Sequence, residues 1–313
     1  MPRNKNQVDS ASRSPQSAAT RTAPPTVSGR WILAALGIVF VAAAFCAWGS
    51  LCLLFWQGAW QLLYRPASAV SRTPAAEGLA SDPIGFDATD TGTPRLRGWW
   101  IPAARGGDAN SGGSSYTALY LHDRIGNLGD CVDKLAAIHA AGVNIFAFDY
   151  RGYGQSQFVH PSEAHWREDA DTALNYLTTI RQIPAGSIVL VGSGLGANLA
   201  LEVAAAHPDL AGVVLDSPLP TPLAKVFSDP RAHLVPARLL IRDRYDMEQP
   251  AKKLRISSLW ILAASSQPQG ASDRPLVDAY RAVTSPKTLV NETAGTNETS
   301  VIARWLSGLH ENR

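Results

Sequence analysis

The sequence predicts an α/β domain with a mostly parallel central sheet, preceded by one N-terminal transmembrane helix. Three observations predict this fold class. Strand-like apolar runs alternate with helical patterns from about residue 82 onward. A glycine-rich turn within V-L-V-G-S-G-L-G-A-N-L, residues 189–199, joins one predicted strand to the next predicted helix. Residues 31–56 carry no charged side chain, and such a run is long enough to cross a hydrocarbon core.

Composition limits the classes of partner and cofactor. The chain has 313 residues and is 46% hydrophobic, which suffices for one sizeable core. Its formal net charge of +2, with 17% charged residues, gives no reason to expect a nucleic acid partner. Cys46 and Cys52 lie in the apolar run, so only Cys131 lies in the predicted domain, where we interpret it as a buried small residue. No metal-binding spacing or dinucleotide fingerprint is present, so no metal and no cofactor are expected.

The N-terminal part of the chain predicts a membrane anchor. Residues 1–30 are rich in Ser, Ala, Thr and Pro and predict a disordered cytoplasmic tail. Residues 31–56 predict a single-pass transmembrane helix with Trp31 and Trp56 at its interfaces. The run is longer than the apolar core of a cleaved signal peptide, so we interpret it as a retained signal anchor. A cleaved signal and a buried core helix are the alternatives.

The distribution of basic residues predicts the orientation of that helix. Five basic residues precede the predicted helix: Arg3, Lys5, Arg13, Arg21 and Arg30. The twenty residues that follow it contain only two, Arg65 and Arg72. Because positive charge is enriched on the cytoplasmic side, we expect a cytoplasmic N-terminus and a globular domain on the extracytoplasmic side of the cell membrane.

The remaining chain predicts a linker, a domain and one insertion. Residues 57–81 contain a stretch rich in Pro, Ala and Ser and are predicted to link the anchor to a domain at 82–313. Residues 217–255 are less periodic and contain several prolines, so we expect them to form an insertion, or cap, over the sheet edge.

Within the domain, short apolar runs bounded by Gly, Pro or polar residues predict strands, and apolar spacings of three and four predict helices. The predicted strands are 94–102, 115–122, 143–150, 187–191, 210–216, 259–264 and 287–290. The predicted helices are 132–141, 161–180, 195–207, 276–283 and 298–309.

Several short motifs follow one another in an order that is typical of one superfamily. They are L-L-Y-R-P at 62–66, R-G-W-W-I-P at 97–102, L-H-D-R-I-G-N-L at 121–128, F-D-Y-R-G-Y-G-Q-S at 148–156, P-S-E at 161–163, V-L-V-G-S-G-L-G at 189–196, V-V-L-D-S-P at 213–218 and R-D-R-Y-D at 242–246. From about residue 62 onward the chain resembles the α/β-hydrolase superfamily, in particular its small membrane-anchored serine-hydrolase-like branch. The resemblance implies an α/β-hydrolase fold with residues 192–196 at the nucleophile elbow.

The resemblance also identifies the positions of the catalytic triad, and none carries the expected side chain. The family's serine corresponds to Gly194, its acid to Gln267 and its histidine to Thr296. Asp123 lies in the segment that helps to receive the oxyanion, where a carboxylate would oppose developing negative charge. We therefore interpret the triad as lost.

Two replacement residues remain open. Ser193 is a candidate for a shifted nucleophile, although Val191 and Leu195 stand where such a turn needs glycine. Asp216 is a candidate acid because it ends a strand near the elbow. The candidate ligand pocket is assigned to His122, Asp123, Ser193, Gly194 and Leu195.

The sequence thus favours a membrane-anchored, catalytically inactive pseudo-hydrolase that acts as a binding or regulatory module. The membrane is its expected partner through residues 31–56, and a small acyl or lipid-like ligand or a protein is a further expected partner. The alternative is an active serine hydrolase, an esterase or a peptidase-like enzyme, that uses Ser193 or a non-standard base.

Overall fold

The computed structural model divides the chain into two compact units, residues 1–49 and 50–313. It describes residues 28–87, 93–104, 116–262, 273–292 and 297–311. Helix α1, Gly29–Gly58, begins in the first unit and ends in the second, which also contains the sheet.

Helix α1 has the properties of a membrane span. Its mean hydropathy reaches 2.4 over the most apolar window, and only 6% of that window is buried. Among the described helices, it is the one with the length and composition to cross a membrane. It extends two residues beyond each end of the predicted span, which was bounded by Trp31 and Trp56.

The second unit alternates strands and helices as the apolar pattern predicts. Its strands are β1 Arg65–Pro66, β2 Asp82–Phe86, β3 Leu96–Ile101, β4 Thr117–Leu121, β5 Ile125–Gly126, β6 Asn144–Asp149, β7 Ile188–Ser193, β8 Gly212–Asp216, β9 Ser257–Leu262 and β10 Lys287–Asn291. Its further α-helices are α2 Trp60–Leu63, α3 Val132–His139, α4 Glu163–Asn175, α5 Leu195–Ala206, α6 Ala224–Phe227, α7 Ala237–Leu240, α8 Glu248–Lys253, α9 Arg274–Ala282 and α10 Glu298–Glu311.

Eight strands form one sheet in the order β10-β9-β8-β7-β4-β6-β3-β2. All neighbours are parallel except β2 with β3 and β3 with β6. The fold is therefore an α/β-hydrolase fold with a mostly parallel sheet. Strand β2 lies at the edge, where Pro83 is tolerated because one side of the strand needs no partner. The sequence pattern did not predict the strand at Asp82–Phe86.

Side chains of the central strands alternate between two apolar layers. Leu190 of β7 packs into the layer that also contains residues of α4, α5, α8 and α9. Val189 and Val191 pack into the opposite layer, with residues of α3 and α10. Because successive side chains of a strand point to opposite faces, this alternation also fixes the face to which Ser193 points.

The segment 57–81 differs from its prediction as a linker. It contains α2 and β1, and β1 pairs in parallel with β5. Leu63 and Tyr64 are only 2% and 1% exposed, and the Tyr64 hydroxyl donates a hydrogen bond to Asp243 at 2.8 Å. The prediction rested on the average composition of the segment, which conceals these two core side chains. The segment belongs to the folded unit.

The predicted insertion at 217–255 contains α6, α7, α8 and a short 3₁₀ helix. Its residues Ala232, Val235 and Ala237 form an apolar cluster with Phe55, at the end of α1, and with Ala59. The last turns of α1 are therefore packed against the insertion.

The approach of α5 to β4 gives the first testable prediction. A Cβ atom on Gly196 would lie under 3.0 Å from backbone atoms of Leu121 and His122. Unlike a flexible side chain, these atoms cannot rotate away. We expect Gly196→Ala to destabilise the protein by about 2–4 kcal/mol or to prevent folding, because overpacking against backbone is not relieved by a rotamer change.

The matched control is Gly308→Ala in α10, where a Cβ would meet no atom within 4 Å. We expect it to be neutral or to stabilise the helix by up to about 1 kcal/mol. The measurement is urea-induced unfolding of the full chain in detergent. Equal stability of the two variants would contradict the close approach.

Candidate functional site

The elbow at residues 192–196 joins β7 to α5. Gly194 has φ 57° and ψ −123°, a conformation that costs a residue with a side chain about 1–3 kcal/mol. The Gly194 N–H donates to the carbonyl of Asp216 at 2.9 Å, which fixes the turn against the end of β8. Gly192 and Gly196 let the start of α5 pack against backbone on both sides. The glycine spacing in the sequence thus corresponds to a real close approach.

The carboxylate of Asp123 fills the space above the elbow. A Cβ atom placed on Gly194 would lie 2.5 Å from Cγ of Asp123. Oδ1 of Asp123 accepts a hydrogen bond at 2.8 Å from the backbone N–H of Leu195. In a hydrolase, the N–H after the nucleophile position helps to bind the oxyanion. Here an internal carboxylate binds to that donor.

Ser193 points to the other face of the sheet. It continues the alternation of Val189 and Val191, so its side chain lies on the side of α3 and α10. Its hydroxyl donates to Oδ2 of Asp216 at 3.0 Å and accepts from the Tyr120 hydroxyl at 3.3 Å. The structure thus brings the side chains of Ser193 and Asp216 together, whereas the Asp123 carboxylate contacts Gly194 and Leu195 instead.

Two residues that the sequence analysis did not select complete this cluster. Nζ of Lys134 lies 2.8 Å from Oδ2 of Asp216 and 2.6 Å from Oε2 of Glu298. Burial would lower the pKa of Lys134, but the two carboxylates outweigh it and raise that pKa, so the ammonium keeps its proton. Lys134 therefore acts as a cation and not as a base. Its position on α3 carries no local sequence signal, because the contact depends on how α3 packs.

His122 is fully buried behind the elbow. Its ring lies 4.5 Å from the ring of Tyr150, and Nδ1 lies 2.6 Å from the carbonyl oxygen of Asp123. Burial lowers the pKa of His122 to about 4. Nε2 lies 3.6 Å from Oδ1 of Asp149, and burial raises the pKa of Asp149 to about 7. At neutral pH the imidazole is therefore neutral and the neighbouring carboxyl group is partly protonated.

The structure corrects part of the predicted pocket. His122 and Leu195 have no exposed surface, so they belong to the core and do not line a pocket. Asp123, Ser193 and Gly194 are partly exposed, but the Asp123 carboxylate fills the space between its own backbone and Gly194. The other two triad positions, Gln267 and Thr296, lie outside the described residues.

Metal and thiol chemistry find no support in the described part of the chain. Within it, no group of three or more His, Cys, Asp or Glu side chains could hold a metal ion. Burial raises the pKa of Cys131 to about 12, so its thiol stays protonated.

A model of the "Alpha/beta hydrolase family" matches residues 113–311. An uncharacterized protein of Mycobacterium tuberculosis is 31% identical over 214 residues, which cover 67% of this chain and 70% of that protein. The uncharacterized protein YfhR of Salmonella typhimurium is 33% identical over 43% of each chain. Alpha/beta hydrolase domain-containing protein 17C of Xenopus tropicalis is 34% identical over 39% of each chain. The last two relatives are thus matched over less than half of their lengths.

Solved structures align with a larger share of this chain than the three relatives above do. An alpha-beta hydrolase of Vibrio vulnificus aligns with a TM-score of 0.56 at 17% identity and covers 76% of this chain and 83% of its own. The Pyrococcus furiosus esterase Pf2001 aligns with the same score at 16% identity and covers 80% and 97%. At this level of identity the likeness shows the fold alone.

The buried pair of His122 and Asp149 predicts a change in pH dependence. The ordinary pKa values are 6.5 for the imidazole and 3.8 for the carboxyl. Between about pH 4 and 6.5 the unfolded chain binds more protons at His122, so its contribution to stability rises with pH. Between about pH 4 and 7 the folded chain binds more protons at Asp149, so its contribution falls with pH. The two contributions partly cancel.

Asp149→Asn keeps an oxygen that accepts the Leu128 N–H but removes the falling contribution. We expect the free energy of unfolding of this variant to rise between pH 4 and 6.5 more steeply than that of the wild type, by up to about 1.4 kcal/mol per pH unit. Unfolding of the full chain in detergent at several pH values measures the slope, which is independent of any constant cost of the substitution. Parallel slopes would contradict the assignment.

Proposed function

Because this chain belongs to the alpha/beta hydrolase family, we propose that it is a membrane-anchored member without serine-hydrolase chemistry, a binding or regulatory module. One observation carries the proposal: the Asp123 carboxylate lies against Gly194 and accepts the Leu195 N–H. The residue types at the three triad positions, Gly194, Gln267 and Thr296, support it.

Electrostatics explains why Asp123 is incompatible with ester or amide hydrolysis at the elbow. A tetrahedral intermediate needs preorganised N–H donors directed at its oxyanion, and each is worth roughly 3–4 kcal/mol of transition-state stabilisation. Here the Leu195 N–H already donates to a carboxylate. A substrate oxyanion would have to displace that carboxylate and then lie beside its negative charge.

The alternative function is an active serine hydrolase that uses Ser193, and its contacts argue against it. Among the described residues, the hydrogen-bond partners of the hydroxyl are Tyr120 and Asp216, and neither is a histidine. The Asp216 carboxylate is itself paired with the Lys134 ammonium at 2.8 Å. A serine without an adjacent base remains a protonated, weak nucleophile.

A fluorophosphonate probe separates the two functions. We expect no stoichiometric labelling of the full chain in detergent, because the Ser193 hydroxyl has no histidine partner among the described residues. Ser193→Ala is the control, and it should give the same background as the wild type. Stoichiometric labelling that disappears in Ser193→Ala would establish the alternative function and refute the proposal.

Placing a serine at position 194 is a second test of the proposed inactivity. Gly194→Ser should destabilise the protein by at least the 1–3 kcal/mol typical of a strained backbone conformation, because its side chain also overlaps Asp123. The double variant with Asp123→Ala should recover part of that loss, since it frees the space. Neither variant should hydrolyse a p-nitrophenyl ester above the rate of the wild type, because no histidine base is supplied. A competent esterase would refute the proposal.

The membrane part of the proposed function follows from α1 and the surrounding charges. We propose that α1 crosses the cell membrane with the N-terminus in the cytoplasm and the folded unit on the other side. The basic residues that precede the helix support this orientation.

Fusion reporters at the C-terminus test this orientation. Alkaline phosphatase, which is active only outside the cytoplasm, should be active there, whereas a reporter that needs the cytoplasm should be inactive. The opposite pattern would reverse the orientation.

A further inference from the structure

A groove of about 790 Å³ lies between the end of α1, helix α2 and the insertion. The range of known ligand pockets is about 300–1,000 Å³, so the groove has room for a sizeable small molecule. Neither Asp123 nor the elbow residues Ser193 and Gly194 line it. It is therefore separate from the degenerate hydrolase site.

Part of the groove is apolar and includes Leu54 and Trp56 near the end of α1. These side chains are 66% and 56% exposed and continue the apolar surface of α1. Deeper in the groove, Leu223 and Val226 of the insertion supply buried apolar walls. An acyl chain beside α1 would thus meet a continuous apolar path into the groove.

The lining of the groove also includes a cation, Arg242, without a partner among the described residues. Among the described residues, no carboxylate lies within 4.0 Å of the Arg242 guanidinium, and no acceptor binds it. The neighbouring Asp243 already accepts hydrogen bonds from the Tyr64 hydroxyl and from the Glu163 N–H. His165 also lines the groove. The guanidinium is therefore the group that remains available to an anionic ligand.

We propose that this groove binds an anionic glycerophospholipid from the surrounding bilayer, with its phosphate at Arg242 and an acyl chain along Leu54 and Trp56. The planar guanidinium matches a phosphate group and donates charge-assisted hydrogen bonds to it. The apolar walls favour a lipid over inorganic phosphate, which would leave them uncovered. This inference rests on the membrane anchoring proposed above, but it does not depend on whether the elbow is inactive.

Photocrosslinking tests the inference with the full chain in nanodiscs. The discs contain phosphatidylcholine and a small fraction of phosphatidylglycerol that carries a diazirine on its acyl chain. After irradiation, mass spectrometry of the digested protein locates the labelled peptides. We expect labelling of the peptides that contain 54–60 and 223–226, and no competition by excess inorganic phosphate.

Two variants alter the groove, and each has a matched control. A Cβ on Gly58 would meet no atom within 4 Å, so Gly58→Phe has room to enter the groove that Gly58 lines, and Gly49→Phe makes the same change on α1 outside it. Arg242→Gln removes the cation, and Arg238→Gln removes one that lies over the Phe227 ring, outside the groove. Both groove variants should reduce labelling at 223–226 by roughly tenfold, the effect of about 1.4 kcal/mol, and both controls should leave it unchanged.

The results distinguish this inference from the proposed function. Equal labelling in all variants, or equal labelling by a diazirine phosphatidylcholine, would overturn it, because the lipid would then be a general neighbour of α1. If Gly58→Phe fails to fold, Arg242→Gln still decides the outcome. Failure of the chain to enter nanodiscs would refute the membrane anchor, and fluorophosphonate labelling would refute inactivity without affecting the lipid result.

Discussion

The fold around the elbow depends on a contact between two backbones. The start of α5 packs against the end of β4 with no side chain between them, because Gly196 has none to interpose. This contact places Asp123, which follows β4, beside the positive-φ residue Gly194 and within hydrogen-bond distance of the Leu195 N–H. The glycine at position 196 and the position of the Asp123 carboxylate are thus both linked to this close approach.

The arrangement retains the scaffold of a hydrolase while its polar groups bind one another. On one side of the sheet the carboxylate of Asp123 binds the donor at the start of α5. On the other side Ser193, Asp216 and Lys134 form a chain of hydrogen bonds and ion pairs. Buried polar groups need partners, and a network that satisfies them internally stabilises the fold without requiring a substrate.

The sequence predicted those features that depend on local pattern. The apolar run of β7 and the glycines at 192–196 predicted the elbow. The sequence analysis grouped Ser193 with Asp123 and Gly194, whereas the alternation through Val191 places its side chain on the face of α3 and α10. Contacts between distant elements were not predictable in this way. Lys134 reaches Asp216 only because α3 packs against β6 and α10, and Tyr64 is buried although its neighbours along the chain suggest a linker. Gln267 and Thr296, which the resemblance aligns with the family's catalytic acid and histidine, lie outside the described residues.

The packing of α1 against the insertion changes where the domain begins. Phe55 and Ala59 cover Ala232, Val235 and Ala237, so the last turns of an apolar helix also serve as core of the folded unit. A fragment that starts after Ala59 would expose this cluster to water, and exposed apolar patches favour aggregation. Removal of α1 would therefore remove one hydrophobic surface and expose another, so a truncated domain needs polar replacements on the insertion as well as a shorter chain.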